Sequence, residues 1–68
     1  MDEDVIQARI RFRSASRAFL AAPSEHGIRD LLSSYAILHA ALHGNEITLD
    51  DELRRIESNA RNILIGLP

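Results

Sequence analysis

The chain has 68 residues, of which eight are arginine, ten are acidic and none is lysine or cysteine, and its formal net charge is −2. A chain of this length holds one small domain with little apolar area for a core, so we expect a single domain over residues 1–68. Without cysteine, disulfides and thiolate zinc sites are excluded, and the acidic balance disfavours a general attraction to nucleic acid or anionic membranes.

The first predicted element is a helix over about residues 3–22. Its apolar residues recur in alternating steps of three and four, the helical period, so they share one face. That face carries Val5, Ala8, Phe12, Ala15, Phe19 and Ala22. The acidic residues at 2–4 suit a helix N-terminus. They also differ from the basic start of a secretory signal, so we expect a cytoplasmic protein.

The opposite side of this helix carries a second set of residues, which we call the outer face. It combines large apolar residues with an arginine row at i, i+4, i+8 spacing: Ile6, Ile10 and Leu20 with Arg9, Arg13 and Arg17. Like charges at this spacing repel each other, so acids should lie nearby. Residues 46–57 of this chain or of a second copy offer such acids, and an external partner is the alternative.

The second predicted helix spans about residues 24–43, after a break at Pro23, a residue that also suits a first helical turn. Its apolar face carries Ile28, Leu31, Tyr35, Leu38 and Leu42. Ile37 and, on helix 3, Ile65 lie off the main faces, and scattered single apolar residues of this kind need no explanation.

The third predicted helix spans about residues 48–66, with Gly44 ending helix 2, Thr48 as N-cap and Gly66 as the stop. Its apolar face carries Leu49, Leu53, Ile56, Ala60, Ile63 and Leu67. Acid–arginine pairs at i,i+4 spacing should support it: Asp50–Arg54, Asp51–Arg55 and Glu57–Arg61. The short connection predicts an antiparallel hairpin of helices 2 and 3.

The predicted fold is therefore all-α, with three helices. Because so small a core is marginal, we expect homodimerisation to complete the helical bundle, with helix 1 packing either within its own chain or across the dimer. The residues predicted to form the core or the dimer seam are Val5, Phe12, Phe19, Tyr35, Leu38, Leu42, Leu53, Ile56 and Ile63.

His39 and His43 form the one pattern with the spacing of metal ligands. Two histidines at i,i+4 can share a metal, but the glutamate of the zinc-protease helix motif is missing and no third ligand is evident. A structural role is therefore favoured for both. We predict no cofactor and no enzymatic activity, since neither a nucleophile elbow nor a glycine-rich phosphate loop is present.

The outer face of helix 1 indicates a protein partner, because interface centres favour apolar anchors together with arginine. We expect a small non-enzymatic regulator or inhibitor, such as an anti-activator, that docks on a bacterial transcription regulator or another host factor. Arginine without lysine, in a chain rich in alanine and leucine, favours a GC-rich bacterial or phage genome, so we expect a bacterial, phage or mobile-element source. The alternative is a nucleic-acid-binding regulator that uses the arginine row, whereas a membrane-surface role is disfavoured by the acidic start.

Overall fold

The computed structural model describes residues 3–43 and 49–66, which form three α-helices: α1 (Glu3–Ala21), α2 (Glu25–His43) and α3 (Leu49–Ile65). The all-α prediction is confirmed, and the observed helix bounds agree with the predicted ones to within one residue where they can be compared. The predicted helix end at Gly44, the Thr48 cap and Leu67 lie outside the described residues.

The start of α2 is fixed by a side-chain cap. The hydroxyl oxygen of Ser24 accepts a hydrogen bond from the amide of Gly27 at 3.0 Å, and the Ser24 carbonyl accepts one from Ile28 at 3.1 Å. Ser24 is thus the N-cap, which satisfies a backbone N–H that the first turn leaves without a helical partner. Pro23 precedes the cap rather than joining the first helical turn as the sequence suggests.

The helices run up, down and up, with α1 and α3 packed against α2. The ring of Phe12 meets that of Tyr35 edge to face, with centroids 5.4 Å apart, and this fixes the register of α1 on α2. Arg61 donates to Glu25 across 2.8 Å, so the end of α3 lies beside the start of α2. The predicted antiparallel hairpin of α2 and α3 is confirmed.

The core is small and centred on α2. Phe19, Ile28, Leu31 and Ala60 form its buried cluster, against which partly buried residues pack: Phe12, Ala15, Leu32, Ile56 and Leu64. Within the described ranges, no Cα atom of α1 comes within 8 Å of one of α3. The three helices therefore form an open layer with principal extents of 42 × 23 × 14 Å, not a closed triangular bundle.

The residues assigned to the core or dimer seam divide by exposure. Phe19 and Leu38 are buried, as are Ala8, Ile28, Leu31 and Ala60 from the same stripes. Five are half-buried: Val5, Phe12, Tyr35, Leu53 and Ile56. Leu42 and Ile63 are exposed. Ile63 lies on the predicted face of α3, where the described part of α1 does not come close enough to cover it.

Candidate functional site

The outer face of α1 is exposed over its whole length. Ile6, Arg9, Ile10, Arg13, Arg17 and Leu20 are all exposed in the protomer. The helix α1 borders two separate hollows, and one residue of the outer face lines each of them. Ile10 lines a cleft toward α2, while Leu20 lines a groove toward α3. Leu20 is thus an exposed residue of the outer face that also lines the groove.

The cleft between α1 and α2 has a volume of about 600 Å³. Ile10 from α1 faces it together with Ile37 and Ala41 from α2, and the polar side chains are those of Asp4, Gln7, Arg11 and Ser14. A second hollow shares Arg11, Ser14 and Ile37 and extends the cleft toward Asp30 and Ser33. Ile37, which the sequence suggested was a scattered single apolar residue, thus lines the same cleft as Ile10.

No carboxylate within the described ranges lies within 4.0 Å of Arg9, Arg13 or Arg17. The acids of α3 have other neighbours: Glu57 accepts from Arg61 at 3.4 Å, and Asp51 lies 4.0 Å from Arg54. The intrachain pairing considered for the arginine row is therefore not formed by the described part of α3. The row presents its positive charge to solvent.

The predicted i,i+4 pairs along α3 are realised only in part. The predicted Glu57–Arg61 pair forms. Arg54 was predicted to pair with Asp50 but lies 4.0 Å from Asp51, at i,i+3 spacing. Arg61 also donates a hydrogen bond to Glu25 on α2. The pKa of the Arg61 guanidinium is raised, mainly by its hydrogen bond to Glu25 and the charge of that carboxylate and to a smaller extent by Glu57. This exposed cluster ties the end of α3 to the start of α2.

A polar cluster links the other ends of α2 and α3. The Tyr35 hydroxyl donates to the Glu52 carboxylate, and this hydrogen bond, followed by burial and the carboxylate charge, raises the pKa of Tyr35 above its usual 10.0. His39 is 2% exposed, and its Nε2 lies 3.7 Å from the same carboxylate oxygen, which is beyond hydrogen-bond distance. The cluster therefore fixes the register of α2 on α3.

His39 and His43 lie side by side, with ring centroids 5.0 Å apart. His39 is buried, and its Nδ1 atom has no hydrogen-bond partner among the residues that the structure describes, while His43 is exposed. Within residues 3–43 and 49–66, no group of three or more histidine or acidic side chains is placed to hold a metal ion. Of the two, His39 lies against α3, through its approach to Glu52.

None of the helices in the described ranges combines the length and hydropathy needed to cross a bilayer. In comparisons with known proteins, no family model, no curated protein and no solved structure matches this chain.

Proposed function

We propose that this chain is a non-enzymatic protein-interaction module, a small regulator or inhibitor that docks on a partner protein through the outer face of α1. The observation that carries the proposal is the pairing of exposed apolar anchors with arginines that the described carboxylates leave unneutralised. Ile10 is 54% exposed, and Arg9 and Arg13 flank it on the same helix.

The chemistry of this face favours a protein surface over a phosphate backbone. The polar groove of a duplex would not bury the branched side chains of Ile6 and Ile10. An apolar pocket on a protein would bury them, and removing their apolar surface from water would stabilise the complex. Arginine adds bidentate hydrogen bonds to carboxylates while its stem packs on apolar surface. A partner with an acidic rim around an apolar pocket would complement this face.

The cleft beside Ile10 gives the partner a place to insert. The cleft has a volume of about 600 Å³, and apolar Ile10, Ile37 and Ala41 line it next to polar Gln7 and Ser14. A side chain entering from the partner would contact the apolar floor and meet hydrogen-bonding groups at the edges. Core-and-rim composition of this kind is typical of protein interfaces.

Affinity capture from the source cells, with nuclease present, tests the proposal. We expect a partner protein to be retained by the wild-type chain and lost with the double change Ile6→Ser, Ile10→Ser. The matched control is Ile65→Ser, since Ile65 is 79% exposed on a different helix. Circular dichroism should show full helicity in both variants, because none of these residues is part of the buried core.

The proposal fails if the double variant retains the same proteins as the wild type, or if the Ile65→Ser control loses them equally. The alternative function, nucleic-acid binding through the arginine row, predicts a different result. Affinity for a duplex would fall steeply with salt, and Arg13→Ala would flatten that slope.

A further inference from the structure

The cleft between α1 and α2 runs along both helices. The two hollows that form it share Arg11, Ser14 and Ile37, and their lining residues lie between 4 and 15 on α1 and between 30 and 41 on α2. At a rise of 1.5 Å per residue, each of these stretches is about 17 Å long, or about three helical turns. The cleft is therefore long enough to hold about three turns of another helix.

Small side chains form the floor of this cleft, and two large apolar side chains are exposed along it. Ala8 and Ser34 are buried, and Ala41 is half-buried. Ile10 and Ile37 line the same cleft, with Ile37 46% exposed. Neighbouring exposed apolar residues on two helices are typical of a contact surface. An element that enters the cleft would approach the small residues closely and remove both isoleucines from water.

The secondary structure around the cleft favours a helix as the entering element. A strand binds by adding to an exposed sheet edge, and the described residues form helices without such an edge. A helix pairs its own backbone N–H and C=O groups, so it can bury an apolar face in a groove without leaving backbone groups unpaired. The partner element is therefore expected to be an amphipathic helix.

The charge along the cleft differs between its two sides. Residues 5–21 of α1 contain four arginines and no acidic residue, whereas residues 31–42 of α2 contain neither arginine nor an acidic residue. Arg11 lines both hollows, and no carboxylate of the described residues lies within 4.0 Å of its guanidinium. A helix with acidic residues along the edge that faces α1 would complement this charge.

We propose that the cleft between α1 and α2 binds an acidic amphipathic helix of a partner protein, with apolar side chains over Ile10 and Ile37 and carboxylates beside Arg11. The inference rests on the proposed function, because it names the element through which the partner protein binds next to the outer face of α1. The two can be separated by experiment, since Ile37 lies on α2 and is not part of the outer face.

Fluorescence anisotropy with two labelled synthetic peptides tests the inference. Each peptide has about 18 residues, enough to form a helix, and the same leucine stripe, and the two differ only in carrying glutamate or lysine beside that stripe. We expect the glutamate peptide to bind the wild-type chain at least about tenfold more tightly than the lysine peptide. Its affinity should fall as salt is added, because salt screens the exposed charges.

Substitutions on the two sides of the cleft test its apolar and charged parts separately. Ile37→Glu should weaken binding of the glutamate peptide by about tenfold or more, whereas Ile65→Glu, at a position 79% exposed on α3, should leave it unchanged. Arg11→Glu should weaken binding of the glutamate peptide and strengthen binding of the lysine peptide. This second variant decides the question if Ile37→Glu does not fold, because Arg11 is exposed and makes no ion pair with a described residue.

Failure of the wild-type chain to bind the glutamate peptide, equal affinity for both peptides, or an unchanged preference in Arg11→Glu would overturn the inference. Tighter binding of a labelled DNA duplex would assign the arginines to nucleic acid, and a wild-type dimer that Ile37→Glu dissociates would assign the cleft to a second copy. Either result would overturn it as well.

Affinity capture distinguishes failure of this inference from failure of the proposed function. If the Ile6→Ser, Ile10→Ser variant loses the partner and Ile37→Glu retains it, the proposed function stands and the cleft is not the binding site. If both variants retain the same proteins as the wild type, the proposed function fails and this inference fails with it.

Discussion

Tyr35 shows how a single residue joins two elements of this small fold. Its ring packs edge to face against Phe12 of α1, and its hydroxyl donates to Glu52 of α3. The residue therefore contributes to both helix–helix contacts of the protomer. Its place on the apolar stripe was evident from the sequence. The carboxylate partner was not, because a hydrogen bond across 17 residues depends on the register of α2 on α3.

We predict that Tyr35→Phe lowers the free energy of unfolding at neutral pH by about 1.5–3 kcal/mol, the range for a hydrogen bond to a charged group. The substitution keeps the ring contact with Phe12 and removes only the donor to Glu52. Urea denaturation followed by circular dichroism measures the change. A loss below about 0.5 kcal/mol, the lower limit for a typical hydrogen bond, would show that this hydrogen bond does not stabilise the fold.

The raised pKa of Tyr35 also predicts a loss of stability in alkaline solution. The folded chain holds the phenolic proton more tightly than the unfolded chain. The contribution of Tyr35 to stability is therefore fully present below about pH 10 and is lost as pH rises through the folded-state pKa. The chain has one tyrosine and neither lysine nor cysteine, so no other side chain with an ordinary pKa near 10 complicates the titration. Tyr35→Phe should abolish the alkaline loss, and an equal loss in that variant would contradict the assignment.

At the scale of elements, the close approach of α1 to α2 depends on Gly27. A Cβ atom at this position would lie 2.9 Å from Cδ1 of Phe19, whose ring is buried in the core. Carbon atoms in contact prefer about 3.5–4.0 Å. The glycine thus allows the Phe19 ring to pack against the first turn of α2, directly after the Ser24 cap.

We predict that Gly27→Ala destabilises the protein by about 1–3 kcal/mol, the usual cost of forcing extra volume into a packed core. Helix propensity alone predicts the opposite sign, since alanine is favoured over glycine by about 1 kcal/mol. Thermal unfolding compares this variant with Ser33→Ala, an exposed position on the same helix, where little change is expected. A higher melting temperature for Gly27→Ala would mean that the Phe19 contact relaxes at no cost.

The helices themselves could be predicted from the sequence because their signals are local. The three-and-four spacing of apolar residues and the break at Pro23 are properties of neighbouring positions, and the observed α2 begins and ends within one residue of the predicted 24–43. Packing between helices is not local. The spacing of apolar residues in the sequence predicts the face of α3 on which Ile63 lies. It does not predict whether α1 approaches that face.

The candidate site was predictable to a similar degree. Helical projection was sufficient to place Ile6, Ile10 and the arginine row on the exposed side of α1. That Leu20 lines the groove toward α3, and that Ile10 and Ile37 line one cleft between α1 and α2, depends on the arrangement of the three helices. A residue on a second helix joins such a surface only through tertiary packing, which leaves no periodic signal in the sequence.

For the molecule as a whole, the open layer gives α1 two distinct borders. Toward α3 lies an apolar groove that no charged side chain of the described residues lines, and toward α2 lies a cleft with polar edges and Arg11. Although the chain has a formal net charge of −2, four of its eight arginines lie on α1. The helix α1 therefore combines an apolar border toward α3 with a polar border toward α2.

The central claim, that the outer face of α1 contacts another protein, is tested most directly by photo-cross-linking in the source cells. A photoreactive phenylalanine derivative at position 10 should form a cross-link to a different protein, with a mass unlike that of two copies of this chain. The same group at position 65, exposed on α3, should not capture that protein. Cross-links from position 10 only to a second copy or to nucleic acid, or identical products from both positions, would contradict the account.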